Sequence, residues 1–351
     1  MQERPKPARR VVTFGEIMMR LSPLDHLRFG QARQLDLIYA GGEANVAASL
    51  ANYGVPVDYV TRLPKNDLGT ACLRYLQGHG INTDKVVFGG DRIGIFFLEH
   101  GAAQRGSKVI YDRANSALAT IEPGMIDWQS VFADADWFHW TGITPAVSRG
   151  AAEAQLEAVK VARQMGLTIS FDLNYRSALW KWGRKPGEVM SEIVPYCDVA
   201  IGNEEDAEAV FGIKAPDSDF QSGTVEAESY RAVCEQMKGR FPNLKLIATT
   251  LRGSISASHN TWSGVLWEEG QYYTAPTYDV DFIVDRVGGG DSFVGGLIYG
   301  FRAYGDDRQK VLSFAVAASC LKHSVWGDFN AVTAAEVERI MGGVTSGRVS
   351  R

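Results

Sequence analysis

The sequence lacks most of the short motifs by which nucleotide-using and hydrolytic enzymes are recognised. It contains no G-x-x-x-x-G-K-S/T loop, no G-x-G-x-x-G after the first predicted strand, no H-E-x-x-H and no G-x-S-x-G. The missing G-x-x-x-x-G-K-S/T loop excludes a P-loop enzyme, and the missing G-x-G-x-x-G weakens a dinucleotide-binding interpretation. The other two absences leave no zinc-protease or serine-hydrolase signature.

Cysteine, long apolar runs and excess charge are also scarce. No C-x-x-C pair joins the four cysteines, which are Cys72, Cys197, Cys234 and Cys320. This predicts free thiols in a reducing compartment. No apolar run approaches a membrane span, and the basic, proline-containing start 1–10 is not typical of a signal peptide. The net charge of -5 over 351 residues argues against a general nucleic-acid binder. We therefore expect a cytoplasmic protein that binds neither membrane nor nucleic acid.

Predicted strands and helices alternate along most of the chain. This rhythm is typical of a three-layer α/β/α fold with a mostly parallel central sheet. Two regions, about 16–40 and 92–114, break the rhythm with short strands of alternating pattern. We expect them to form a separate small sheet that acts as a lid on one domain, residues 11–341. The ends, 1–10 and 342–351, are predicted tails.

The most informative stretch is a glycine run before an aspartate. Gly288, Gly289 and Gly290 directly precede Asp291, and apolar residues then recur at helical spacing. Bare N–H groups and the helix dipole at such a start favour an anion. A carboxylate beside them could take a proton from a substrate hydroxyl, as phosphoryl transfer to an alcohol requires. The alternative is a plain turn in which Asp291 caps the helix.

Other polar and glycine-rich segments follow predicted strands. They are Gly41-Gly42, Asp172-Leu173-Asn174, Gly202-Asn203 and the Gly288 run. Ligand sites of open α/β sheets lie at the carboxyl ends of the strands. We therefore expect these segments to meet in one site.

Two signatures together resemble the ribokinase-like (PfkB) carbohydrate kinases. Gly41-Gly42-x-x-Asn45-x-Ala47 is similar to the N-terminal signature of that family, and Asp285-x-x-Gly288-Gly289-Gly290-Asp291-Ser292-Phe293 to the C-terminal one. The resemblance runs from about residue 11 to 341. The chain departs from the family where Arg286, Val287 and Gly289 replace the usual threonines and alanine. It also has Asp206 in place of the glutamate of the Asn-x-x-Glu element.

Further matches resemble one branch of the family, the 2-keto-3-deoxygluconate kinases. These matches are Tyr111-x-Arg113-x-x-Ser116-Ala117, Asp172-Leu173-Asn174-Tyr175-Arg176 and Lys322-His323 followed by Gly327-Asp328-Phe329-Asn330. The two arginines, Arg113 and Arg176, suit a sugar acid because a guanidinium pairs with a carboxylate. The alternative is that they are ordinary surface arginines.

The resemblance implies a role for each signature residue. It makes Asp291 the base and Gly288, Gly289 and Gly290 the anion hole. Sugar contacts are implied for Gly41, Gly42, Asn45, Asn174 and the lid residues Phe97 and Tyr111; a simple N-cap turn at Gly41-Gly42 and core packing of the lid aromatics are the alternatives.

On the nucleotide side, Thr250, Arg252 and Gly253 are expected to form a turn after the strand 245–250. Ala317 and His323 are expected to line the adenine pocket, although an isolated histidine on a helix is often structural. Asn203 and Asp206 are expected to hold magnesium through water. A helix-capping arrangement of these two residues is compatible with that role.

The expected activity is ATP- and Mg²⁺-dependent phosphorylation of the primary hydroxyl of 2-keto-3-deoxygluconate, giving 2-keto-3-deoxy-6-phosphogluconate. The need for a monovalent cation and the choice between gluconate and galactonate epimers stay open. Exposed edges of the small sheet favour a homodimer that forms through the lid. The alternatives are a kinase of a neutral sugar, such as a fructokinase or ribokinase, and a non-catalytic sugar-binding regulator.

Overall fold

The computed structural model describes residues 9–214 and 227–343. The predicted tails 1–10 and 342–351 and the predicted loop 213–226 lie largely outside these residues. The first strand begins at Arg10, inside the predicted tail, because the Arg10 guanidinium pairs with Asp58 of a neighbouring strand at 2.6 Å.

The strands of the described residues form one large sheet, one small sheet and a two-stranded ribbon. They are β1 Arg10–Phe14, β2 Met18–Pro23, β3 Leu35–Ala40, β4 Val57–Val60, β5 Arg62–Leu63, β6 Val87–Phe88, β7 Gly94–Glu99, β8 Lys108–Asp112, β9 Ala135–Thr141, β10 Thr168–Asp172, β11 Val199–Asn203, β12 Leu246–Ser254, β13 Asn260–Glu268, β14 Gln271–Thr274 and β15 Tyr278–Val280.

The helices fall mostly between these strands, as the predicted rhythm requires. They are α1 Gly42–Asn52, α2 Asp67–Gly78, α3 Trp128–Phe132, α4 Ile143–Val147, α5 Arg149–Gln164, α6 Pro186–Ile193, α7 Glu204–Phe211, α8 Ala227–Arg240, α9 Gly289–Tyr304, α10 Arg308–Lys322 and α11 Ala334–Met341. Within residues 9–214 and 227–343, none of these helices combines the length and apolar character that a membrane span needs.

The large sheet has the order β14-β13-β12-β11-β10-β9-β1-β4, and β15 also pairs with β13. The pairings from β12 to β4 are parallel, and those of β13 are antiparallel. Alternate side chains of β1 enter opposite layers. Val12 packs with α3 and α5, whereas Val11 packs with α1 and α9. This confirms the predicted three-layer α/β/α architecture.

The small sheet has the order β3-β2-β7-β8 and lies where the two irregular regions predict it. One hairpin on the large sheet differs from the prediction. We expect strands at 254–260 and 264–267, but residues 255–259 form the turn, and β12 and β13 pair from Leu246↔Glu268 to Ser254↔Asn260. The long pairing extends β12 past Thr250, where the sequence pattern predicts its end.

Glycines permit the close contact between α9 and its neighbours. A Cβ on Gly296 would lie 2.9 Å from the Cα of Ala315 on α10, whereas a Cβ on Gly239 of α8 would meet nothing within 4 Å. Both glycines are helical, so alanine is compatible with the backbone at both.

We predict opposite effects of alanine at these two positions. Gly296→Ala should lower the free energy of unfolding by about 1–3 kcal/mol, because the α9–α10 contact must open. Gly239→Ala should raise it by about 0.5–1 kcal/mol through helix propensity. Urea unfolding followed by circular dichroism measures both. Equal stabilisation by the two substitutions would contradict the close packing of α9 on α10.

Candidate active site

A cavity of about 340 Å³ lies at the carboxyl ends of the parallel strands, between the large and small sheets. It brings together most of the predicted site residues, which are Gly41, Gly42, Asn45, Tyr111, Asn174, Arg176, Asn203, Asp206, Thr250, Arg252, Gly288, Gly289, Gly290, Asp291 and His323. Four predicted residues are not in its lining: Phe97, Arg113, Gly253 and Ala317.

The glycine run forms the start of α9. Gly288 is the N-cap in a left-handed conformation, with φ of 83°, and a Cβ there would lie 2.1 Å from the carbonyl oxygen of Asp328. Only glycine fits both conditions. A Cβ on Gly289 would lie 3.1 Å from the His323 ring, a tight contact, while Gly290 is open to the cavity. The N–H groups of this first turn have no partners within the helix and can receive an anion.

Asp291 sits in the first turn of α9 and is buried. Burial raises its pKa to about 6. The Nδ2 of Asn45 donates a hydrogen bond to its Oδ2 at 2.7 Å, which favours the ionised form. The Asp291 carboxylate is therefore mostly ionised at pH 7, and its pKa is high enough for it to accept a proton.

The start of α1 meets Asp291 from the opposite side. A Cβ on Gly42 would lie 3.6 Å from Asp291 Oδ1 and 3.8 Å from Asn174 Nδ2, so glycine keeps this part of the cavity open. Asn174 has a φ of 39°, a strained conformation that persists where the surroundings fix it. Glu43, which the sequence analysis does not single out, fixes α1 by accepting hydrogen bonds from the Thr141 N–H at 3.0 Å and its hydroxyl at 2.8 Å.

The prediction for Phe97 is wrong by one residue of register. Tyr111 of β8 stands opposite Phe96 of β7, and both line the cavity. Phe97 stands opposite Ile110 and packs edge-on against Phe29 on the other face of the small sheet. Since neighbouring residues of a strand point to opposite faces, only one of the two phenylalanines can reach the cavity.

Arg113 is the second correction. Its side chain is 6% exposed and its Nε donates to Glu16 Oε2 at 2.7 Å, outside the cavity lining. Ser116 donates to the same carboxylate. The charge of Arg113 is thus already neutralised by Glu16, a residue for which the sequence predicts no role. A buried pair of this kind is not free for a ligand carboxylate.

Arg176 has a different environment. It is exposed, lines the cavity and donates a hydrogen bond to the carbonyl of Tyr175 at 2.8 Å. In the part of the chain that the structure describes, it makes no ion pair. Its guanidinium lowers the pKa of Asp291, which shows that it lies within electrostatic reach of the carboxylate. The two-arginine clamp predicted from sequence is therefore reduced to one free arginine.

Asn203 and Asp206 form a capping box at the start of α7. Asn203 Oδ1 accepts from the Asp206 N–H at 2.9 Å, and Asp206 Oδ2 accepts from the Asn203 N–H at 3.2 Å. Asp206 Oδ1 also accepts from the Tyr175 N–H at 3.0 Å. Each carboxylate oxygen keeps a lone pair for a magnesium-bound water, so the residues fit the predicted water-mediated role. No cluster of three or more His, Cys, Asp or Glu suited to direct metal binding occurs in residues 9–214 or 227–343.

Asp172 lies in the motif that continues to Asn174 and Arg176, but the sequence predicts no role for Asp172 itself. It lines the cavity at the end of β10. Burial raises its pKa well above the usual range, and the nearby carboxylates Asp206 and Asp291 raise it further. Three carboxylates thus converge on one region. Its position at a strand end, as at Asn174, is the signal that could have identified it.

Two of the three strand residues predicted for the nucleotide side lie at the cavity, and their role stays a prediction. Thr250 and Arg252 line the cavity from within β12, whereas Gly253 does not. Arg286 joins them; its Nη2 donates to the carbonyl of Ala257 at 3.2 Å. Burial lowers the pKa of Arg286, and the neighbouring Arg252 adds to this effect. Two close guanidiniums at the cavity wall form a site suited to phosphate.

Ala317 and His323 do not share a face of α10. Ala317 is fully buried in a cluster with Phe314, Val332 and Val337. The six-residue separation places the two on different sides of the helix. His323 lines the cavity, and burial lowers its pKa to about 4, so its ring is neutral near pH 7. Ala317 therefore lies outside the cavity lining, and its role at the adenine stays a prediction.

Comparison with known proteins identifies the class to which this site belongs. Residues 8–332 match the profile of the pfkB family carbohydrate kinases, and the chain belongs to that family. The small sheet, the Gly42 turn and the Gly288–Asp291 run all fall inside the matched region.

Several similar proteins within the family are named as kinases of deoxy sugar acids. The chain is 33% identical to a 2-dehydro-3-deoxygalactonokinase of Haloferax volcanii, over 96% of this chain and 98% of that one. It is 27% identical to a 2-dehydro-3-deoxygluconokinase of Thermoproteus tenax, over 92% and 90%. A crystal structure of 2-dehydro-3-deoxygluconokinase from Thermotoga maritima superposes with a TM-score of 0.90 at 46% identity, covering 95% of this chain and 100% of that one. In these names "dehydro" corresponds to "keto".

The raised pKa of Asp291 predicts a stability cost above pH 6. The folded state binds the proton more tightly than the unfolded state, so stability falls as pH rises from the ordinary value of 3.8 to about 6. Asp291→Asn should therefore raise the free energy of unfolding at pH 8 by about 2–3 kcal/mol, and by little near pH 4. Thermal or urea unfolding at both pH values measures this.

The matched control is Asp281→Asn, which changes an exposed aspartate. It should leave the stability of the protein unchanged at both pH values, since an exposed surface carboxylate far from special contacts contributes little. An Asp291→Asn variant that is no more stable at pH 8 than at pH 4, relative to wild type, would show that Asp291 is not a strained buried acid.

Proposed function

We propose that this kinase transfers the γ-phosphoryl group of ATP to the primary hydroxyl of 2-keto-3-deoxygluconate or its galactonate epimer. The observation that carries the proposal is the meeting of three features in one cavity. These are the Asp291 carboxylate, the N–H groups of Gly288–Gly290 and the guanidinium of Arg176, which makes no ion pair among the described residues. Of these N–H groups, that of Gly289 makes a long hydrogen bond of 3.4 Å to the Arg286 carbonyl oxygen. The names of the relatives support a sugar acid as the acceptor.

Asp291 would act as the base. The substrate hydroxyl gives its proton to the Asp291 carboxylate as its oxygen bonds to the γ-phosphorus, and the bond to ADP breaks. The hydrogen bond from Asn45 keeps the carboxylate ionised until that moment. The Gly288–Gly290 N–H groups stabilise charge on the transferring group. Mg²⁺, bound with ATP and held through water by Asn203 and Asp206, would neutralise phosphate charge.

The sugar and ATP would bind at opposite ends of the cavity. Gly42, Asn45 and Asn174 surround the acceptor hydroxyl, and Phe96 and Tyr111 cover the sugar. Arg252 and Arg286 would take the phosphates of ATP, and the neutral His323 ring, 5.0 Å from Trp262, would border the adenine. This division follows from charge, because Arg252 and Arg286, which make no ion pair within residues 9–214 and 227–343, suit a polyanion.

Arg176 would bind the substrate carboxylate. It is a cavity arginine whose charge lowers the pKa of Asp291, whereas Arg113 is held by Glu16. Arg113 would then position the substrate pocket by fixing Glu16 beside Gly41, where a Cβ would lie 2.1 Å from the Glu16 carbonyl oxygen. A neutral-sugar kinase would have no use for an unpaired arginine at the Arg176 position.

The small sheet would serve as a lid and as a dimer surface. Phe96 and Tyr111 close the cavity from one face. The other face exposes Leu35, Leu37 and Ile110, which are 39%, 44% and 55% exposed. An apolar face of this kind is covered when two lids meet across a twofold axis. We place the reaction in the cytoplasm, where ATP is supplied.

The first test is turnover with Mg-ATP against 2-keto-3-deoxygluconate, its galactonate epimer, gluconate, fructose, ribose and adenosine. We predict turnover confined to the two keto-deoxy acids.

Asp291→Asn should lower kcat by about 10²–10⁴-fold and leave substrate affinity nearly unchanged. Preference for fructose or ribose would overturn the sugar-acid proposal. An Asp291→Asn variant with unaltered sugar binding and no change in any activity would favour a binding protein.

The second test separates the two arginines. Arg176→Ala should raise KM for the keto-deoxy acid by about 10–100-fold, since a charge-assisted pair is lost, and leave KM for ATP nearly unchanged. Arg184→Ala, which removes an exposed arginine from the same loop region, is the control. Arg113→Ala should instead lower the melting temperature by leaving Glu16 buried and unpaired. An unchanged KM in Arg176→Ala would refute its assignment as the carboxylate ligand.

A further inference from the structure

Two buried cations lie behind the glycine run. Arg20 of β2 is 1% exposed, and its guanidinium donates to Asp285 Oδ2 at 2.6 Å and pairs with Asp328. Lys322, at the end of α10, is fully buried. Its ammonium donates to the carbonyl oxygens of Asp285 at 3.3 Å and Val325 at 3.2 Å. The mechanism proposed above uses neither cation.

Asp285 is the centre of this group, and all its oxygens are engaged. Its Oδ1 accepts from the Val287 N–H at 3.0 Å. Its Oδ2 accepts from the Gly327 N–H at 3.2 Å as well as from Arg20. Its carbonyl oxygen accepts from Lys322. The side chain itself has no exposed surface.

The group is attached directly to the anion hole. The carbonyl oxygen of Asp328 lies only 2.1 Å from the position that a Cβ on Gly288 would occupy. Asp285 holds the N–H of Val287, the residue before Gly288. A shift of either aspartate therefore moves the backbone that binds the transferring group.

The charges of the group balance, with two carboxylates against two cations. Burial lowers the pKa of Lys322, and Asp285 and Asp328 act in the opposite direction. Removing the ammonium would leave a buried carboxylate without compensation, which is costly in a dry interior. The balance therefore needs a cation at the position of Lys322.

The family resemblance leaves open a monovalent cation beside this loop, and the residues here do not fit one. Such an ion is held by carbonyl and carboxylate oxygens that have lone pairs free. Here Asp285 already accepts four hydrogen bonds, and Lys322 occupies the two carbonyls. The threonines usual in the family are replaced by Arg286 and Val287.

We propose that the Lys322 ammonium, fixed to the carbonyls of Asp285 and Val325, is a built-in replacement for a bound monovalent cation beneath the anion hole. The chain then needs no such ion for phosphoryl transfer. Lys322 is a positioning residue, since it touches neither the sugar nor the nucleotide in the proposed arrangement. The kinetic part of this inference rests on the proposed function, and its structural part does not.

The test compares potassium chloride with tetramethylammonium chloride at equal ionic strength, because tetramethylammonium is too large for such a site. We predict that the melting temperature of the wild-type protein is the same in both salts, and that its kcat with Mg-ATP and the keto-deoxy acid agrees to within about twofold. Activation by potassium of about tenfold or more, or a potassium-specific rise in wild-type melting temperature, would overturn the proposal.

The variant arm uses Lys322→Ala, with Lys310→Ala as its control on the exposed side of the same helix. Lys322→Ala frees two carbonyl oxygens and a negative charge, so its melting temperature should fall and should recover in ammonium or potassium but not in tetramethylammonium. Lys310→Ala should show no ion-specific shift in melting temperature.

A Lys322→Ala protein that loses stability without any ion-specific recovery would contradict the replacement role. If this variant does not fold, the wild-type comparison still decides. Because melting needs no substrate, failure of the proposed activity would not be mistaken for failure of this inference.

Discussion

The site depends on one constraint: the Asp291 carboxylate must be removed from water and yet remain able to hold a negative charge. Burial works against the charge and raises its pKa to about 6. The helix start and the hydrogen bond from the amide of Asn45 stabilise the negative charge. The open Gly42 brings backbone close to this carboxylate, and the left-handed Gly288, packed against the carbonyl of Asp328, fixes the helix start that carries it. The rest of the fold fixes the elements that carry these groups.

The sequence predicts the fold well, and it predicts that the signature residues meet at one cavity, because both depend on local pattern. Alternating strands and helices determine the three layers. The Gly288–Asp291 run encodes its own helix start, since the helical spacing and the need for bare N–H groups are both visible in consecutive residues. The same is true of the Asn203–Asp206 capping box, whose partners are three residues apart.

What the sequence does not predict depends on contacts between distant residues. Phe96 and Phe97 are equivalent in a strand pattern, and only the pairing with β8 decides which faces the cavity. Arg113 is engaged by Glu16, 97 residues away. The length of β12 depends on its antiparallel partner β13. In each case the missing information is register or ion pairing across the fold, for which a single sequence gives no local signal.

The order of the strands has a consequence for how the chain folds. Strand β1, next to the edge strand β4, pairs on one side with Val57–Val60 and on the other with residues near Trp137, so β1 and β4 cannot join the rest of the large sheet until β9 has been made. The ion pairs of Arg20 span still longer separations, because Asp285 and Asp328 follow it in the sequence by 265 and 308 residues. Until they arrive, its charge stays in water, since burying it alone is too costly. Formation of the anion hole therefore depends on contacts across 265 and 308 residues, the long-range kind of contact that slows folding.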